Sequence, residues 1–208
     1  MAIIRSTIAY EASKSFGNMT LRKTKRGLIA SQRITEYKHP FTTKQKKTQT
    51  RTGMLGKLSK IFAPQTKVGF TTGVVYHSNY NRFVKINKGA VTVNNELQIT
   101  IAWSSLLGSK GVLPIVRTIQ GVTYANGNAI VTWSNDVPSE FGNNLISVTV
   151  INETNKFNNS VATESLRTEG AVAVPIMAEV GDVLHIYVAA YDPINDTSSD
   201  SVYQTLTV

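Results

Sequence analysis

Between residues 113 and 208, apolar and polar positions alternate in seven short runs: 113–124, 129–134, 145–152, 161–166, 171–176, 183–191 and 201–208. In one, Leu184, Ile186 and Val188 oppose His185, Tyr187 and Ala189; in another, Ile130, Thr132 and Ser134 oppose Val131 and Trp133. Successive side chains of a strand point to opposite faces, so each run predicts a strand with an inner and an outer side. Turn-forming residues separate them: Asn126-Gly127-Asn128, Gly142-Asn143-Asn144, Asn158-Asn159, Gly170, Gly181-Asp182 and Asn195-Asp196. Together they predict an antiparallel sandwich of immunoglobulin or fibronectin-III type. Trp133 is its expected core anchor, and Gly181-Asp182 its tight turn into the sixth strand.

Upstream the period changes. After Pro40 and the capping pair Thr42-Thr43, apolar residues Met54, Leu55, Leu58, Ile61 and Phe62 recur at helical spacing, which predicts one helix over 43–62 ended by Pro64. Residues 68–112 read as a connecting segment or small subdomain, with a helix over 79–88 and a strand over 97–103. Residues 1–41 hold short apolar patches divided by basic residues and glycines, and read as extended or hairpin-like pieces. The expected fold class is therefore mainly β. A C-terminal sandwich (113–208) follows an extended basic N-terminal arm (1–67) that carries one helix.

Charge sharpens this division. Residues 1–67 hold 15 Lys/Arg against Glu11 and Glu36 (net +13), whereas 68–208 hold 7 against 11 Asp/Glu (net −4), giving the overall +9. Such asymmetry predicts a segment that lies against an anionic surface. The absence of cysteine excludes disulfides, thiolate zinc sites and cysteine nucleophiles. Early charges at Arg5 and Glu11 argue against a secretory leader, and no stretch approaches the ~20 apolar residues of a membrane span.

Catalytic patterns are missing from the sequence. His39, His77 and His185 are far apart, and none neighbours a carboxylate at metal-ligand spacing. His185 reads as a hydrogen-bonded strand residue. Asp192, Asp196 and Asp200 gather acidic oxygens without EF-hand spacing and read as a solvated turn. Gly108-Ser109-Lys110-Gly111 lacks the spacing of a phosphate loop. No enzyme activity, metal or cofactor is expected. The functional signal is the basic arm. Arg22, Lys23, Lys25, Arg26, Arg33, Lys44, Lys46 and Lys47 supply the charge, and Phe16, Leu21, Leu28 and Ile29 supply apolar anchors for a partner. Exposed ion pairs contribute about 0.2–1 kcal/mol each and a buried Leu or Ile about 1.5–3 kcal/mol, so charge would steer and apolar residues would hold.

Several motifs carry a family resemblance: Met1-Ala2-Ile3-Ile4, Phe16-Gly17-Asn18-Met19-Thr20-Leu21-Arg22 with Gly27 and Arg33, and Thr43-Lys44-Gln45. Trp133-Ser134, Gly181-Asp182-Val183-Leu184-His185-Ile186-Tyr187 and Ser201-Val202-Tyr203 continue it. On these the chain resembles a family shared by Bacteroidetes genomes and crAss-like tailed phages. The resemblance implies a virion structural role: an auxiliary capsid, or head decoration, protein in multiple copies, assembled in the bacterial host cytoplasm. The implied partner is the major capsid protein or another acidic virion protein, with no membrane involved. Two readings stand beside it, a nucleic-acid-binding structural protein using the same arm and a carbohydrate-binding or adhesive sandwich.

Overall fold

The computed structural model describes residues 2–4, 15–16, 19–24, 27–32, 41–70, 78–116, 119–134, 138, 141–155 and 158–208. Among the described residues it is mainly β, with several antiparallel sheets and three helices. The chain divides into two units, Met1–Thr42 and Thr43–Val208.

In the first unit, β1 (Ala2–Ile4), β2 (Ser15–Phe16), β3 (Met19–Thr24) and β4 (Gly27–Gln32) form an antiparallel sheet in the order β1-β4-β3-β2. The pair Thr24 and Gly27 closes the β3–β4 hairpin over a two-residue connection. Of the two forms expected for residues 1–41, extended or hairpin-like, the described strands take the second, satisfying backbone groups by pairing with one another.

The second unit begins with α1 (Thr43–Ile61), close to the expected helix. Pro64 does not end helical structure here. It occupies the first turn of α2 (Ala63–Gly69), where its missing N–H has no intrahelical partner to lose. Next come α3 (Asn79–Asn87), whose first turn is capped by the Ser78 side chain, and the hairpin of β5 (Val91–Val93) and β6 (Ile99–Ile101). The strand expected over 97–103 is shorter, and Trp103 opens a single 3-10 turn.

The rest is strands: β7 (Ile119–Ala125), β8 (Asn128–Trp133), β9 (Leu145–Asn152), β10 (Asn158–Leu166), β11 (Ala171–Pro175), β12 (Val183–Asp192), β13 (Thr197–Ser198) and β14 (Val202–Thr207). One sheet has the order β11-β8-β7; the other has β10-β9-β12, with β13 and β14 along the far edge of β12. The β7–β8 connection is Asn126-Gly127, with φ of 50° and 76°, the left-handed pair that matches strand twist in a two-residue hairpin. The two sheets enclose one core: Val131 and Trp133 from β8, Val174 from β11, Ile146, Val148 and Val150 from β9, and Leu184, Ile186, Val188 and Ala190 from β12. Trp133 is the expected anchor, and its indole N–H donates to the Arg167 carbonyl at 2.8 Å.

The opposite face of β9 and β12 is buried as well. Ile151 and Tyr187 pack with Met54, Leu55, Leu58 and Phe62 of the helical layer, with Phe83 of α3, and with Trp103 and Leu106. Tyr187 meets Phe62 edge-on at 4.9 Å. At this second core Gln65 of α2, fully buried, accepts a hydrogen bond from the Thr149 hydroxyl and directs its amide N–H groups at the carbonyls of Ser147 and Tyr187. The two units meet at residue 42, within the arm expected over 1–67: α1 belongs to the second unit, where its apolar stripe joins α3 and the sheet face of Ile151 and Tyr187 in one core.

Candidate functional site: a basic segment shared between two bodies

The residues expected to form one attachment arm belong to both units. Phe16 lies in β2, Leu21, Arg22 and Lys23 in β3, and Leu28 and Ile29 in β4. Lys44, Lys46 and Lys47 lie in the first two turns of α1, in the other unit. Lys25, Arg26 and Arg33 fall outside the described residues. The expected set is thus divided between the two units.

In the N-terminal sheet, Arg22 lies opposite Ile29 and Leu21 opposite Ala30. Directly opposed residues of an antiparallel pair share a face. An exposed cation and a partly buried aliphatic side chain therefore stand side by side there.

The second subset is arranged differently. Burial on α1 starts at Met54, so 43–53 run beyond the apolar core and are mostly exposed. Lys44, Lys47, Thr48 and Arg51 occupy one helical face and, with Val93 of β5, line a recess of about 220 Å³. Arg51 is the member that reading the basic run by density left out; its offset of seven from Lys44 was the available signal. The helix has no acidic residue in its first turn, and its like-charged neighbours at three- and four-residue spacing repel one another. Among the described residues no carboxylate pairs with Lys44, Lys46, Lys47 or Arg51.

That His185 pair is the chemically richest cluster among the described residues, and sequence spacing could not reveal it. One ring nitrogen, Nδ1, meets the Tyr203 hydroxyl at 2.9 Å; the other, Nε2, meets Glu153 Oε2 at 3.0 Å. The indole N–H of Trp103 donates to Glu153 Oε1 at 3.1 Å, and its rings stack on the imidazole at 4.4 Å. Burial pushes His185 below the ordinary histidine pKa despite the pull of Glu153. For Glu153, burial pushes upward, but hydrogen bonds from His185 and Trp103 and the attraction of His185 carry the carboxyl below its ordinary range. Both imidazole nitrogens are engaged, and among the described residues no three His, Cys, Asp or Glu side chains gather as metal ligands. The cluster's evident work is to join the Trp103 turn to β12 and β14.

The acidic turn after β12 is also internally bonded: Asp192 accepts from Ile194 N and Asn195 N, Asp196 from the Tyr191 hydroxyl, and Asp200 from Gly111 N. No described helix is long and apolar enough to cross a membrane. Comparison with protein-family models, curated proteins and solved structures returns no match.

Proposed function

We propose that this chain is a virion structural protein, an auxiliary capsid protein of a tailed phage, which attaches to the head through its N-terminal unit and displays the two-sheet body. The observation that carries this reading is the boundary at residue 42. It separates a cationic, apolar-studded sheet from a body whose two cores are each filled by its own residues. The partner fitted to the sheet is the major capsid protein or another acidic virion protein, met first by charge and then held by Leu21 and Ile29. The strand orders β7-β8-β11 and β10-β9-β12-β14, with Trp133 between the sheets, support reading the body as an immunoglobulin- or fibronectin-III-type sandwich.

The test is co-sedimentation of the full chain with undecorated heads. Arg22→Glu should slow attachment at low salt and much less at high salt, whereas Ile29→Asp should weaken retention at any salt. Wild-type attachment by both variants would overturn the proposal.

A further inference from the structure

The division at residue 42 also divides the positive charge. Residues 1–42 hold 8 Lys/Arg and two Glu, a net +6 (8 minus 2); residues 43–67 hold 7 Lys/Arg and no acid, a net +7. The two surfaces differ in kind. Around Arg22 the cations stand beside aliphatic residues, Leu21 in sequence and Ile29 across the sheet. Residues 43–53, Thr-Lys-Gln-Lys-Lys-Thr-Gln-Thr-Arg-Thr-Gly, include no apolar, aromatic or acidic side chain.

That inventory discriminates between classes of anionic partner. Protein interfaces concentrate their affinity in buried aromatic and aliphatic anchors; residues 43–53 offer none, and the recess they line has Val93 as its single apolar member. Phosphate backbones are held by Lys, Arg, Thr and Gln side chains and by helix N-termini, which is what the surface does offer. Lys44, Lys47 and Arg51 form a row on one face, spaced by about 4.5 and 6 Å along the axis at 1.5 Å per residue. The Thr48 hydroxyl donates to the Lys44 carbonyl at 3.0 Å, so the cations remain as the charged donors lining the recess. The positive end of the helix macrodipole adds to them.

We propose that the first three turns of α1 form a nucleic-acid surface that binds the phosphate backbone without reading sequence. It belongs to the second unit and the proposed head-attachment surface to the first, so the protein would carry two anion-directed surfaces with different partners.

The test uses the full chain and a fluorescein-labelled DNA duplex of random sequence, followed by anisotropy across a salt series. Each phosphate contact contributes about 0.9 to the slope of log affinity against log salt, so Lys44→Gln/Lys47→Gln/Arg51→Gln should flatten it by about 2.7. Between about 50 and 200 mM salt, wild type should therefore lose roughly 40-fold more affinity than the triple variant. Lys44→Arg/Lys47→Arg, which keeps the charge, should retain the wild-type slope. An unchanged melting temperature separates lost binding from lost folding. An unchanged slope in the Gln variant would overturn the inference, as would tighter binding of poly-glutamate than of duplex at equal charge concentration. Neither result bears on attachment to heads through Arg22 and Ile29, so the two proposals fail separately.

Discussion

Leu58→Ala tests whether α1 is a layer of the body or part of an appended arm. Leu58 is fully buried in the second core, with Met54, Leu55, Phe62 and Tyr187 among its members. Truncation removes its isobutyl packing and leaves a cavity lined by rigid aromatic and aliphatic groups, a change that costs about 3 kcal/mol within the usual 2–5 kcal/mol for buried Leu→Ala. Thr43–Val208 comprises 166 residues (208 minus 42). At that size 1 kcal/mol moves the melting temperature by roughly 2–4 °C, so the variant should melt about 6–12 °C below wild type. Calorimetry or circular dichroism at the strand signal reads this directly, with exposed Lys57→Ala as the control. A Leu58→Ala strand transition within about 1 °C of wild type would refute the reasoning, because the helix would then contribute nothing to the fold of the sheets.

Acid should destabilise the body in two stages. A histidine held below its ordinary 6.5 contributes stability that is present above that value and lost as pH falls toward its folded pKa; His185→Gln should flatten this part of a melting-temperature profile. Glu153, also held below its ordinary 4.5, adds a second loss at lower pH that Glu153→Gln should remove. At the β7–β8 hairpin, Gly127→Ala should cost about 1–2 kcal/mol because φ is 76° there, and denaturant unfolding should show it as a lower midpoint at constant slope.

Most strands of residues 119–207 were legible because period two and turn chemistry agree, as the Asn126-Gly127 hairpin and the Gly181-Asp182 turn illustrate; β13 and the Asn158-Asn159 start of β10, which read as turn residues, were not. The apolar stripe of α1 was legible for the same kind of reason, since Met54, Leu55, Leu58 and Phe62 follow the helical period. Its destination was not. In β9 and β12, Ser147, Thr149 and His185 stand where a solvent-facing residue would, and they disguise two strands that are buried on both faces. The near-continuous burial of Ile146 to Asn152 and Leu184 to Ala190 is the pattern of a covered sheet. Glu153 meets His185 across 32 residues of sequence, through a strand register that periodicity alone does not set. The boundary at 42 was hidden because the basic composition runs through it unchanged and the apolar stripe starts only at Met54.

Gln65 gives the helical layer an address. Aliphatic and aromatic surfaces tolerate sliding, since one apolar contact replaces another at similar energy. A primary amide offers no such freedom. Its oxygen meets the Thr149 hydroxyl and its nitrogen faces two carbonyls on neighbouring strands, an arrangement that spans the Thr149–Tyr187 and Ser147–Ala189 pairs of the β9–β12 ladder. Moving α2 by one helical turn, about 5.4 Å, would strand those groups without water or partner, at about 1–3 kcal/mol for each. One polar side chain thus selects a single seating of α2 from the several that greasy packing alone would accept.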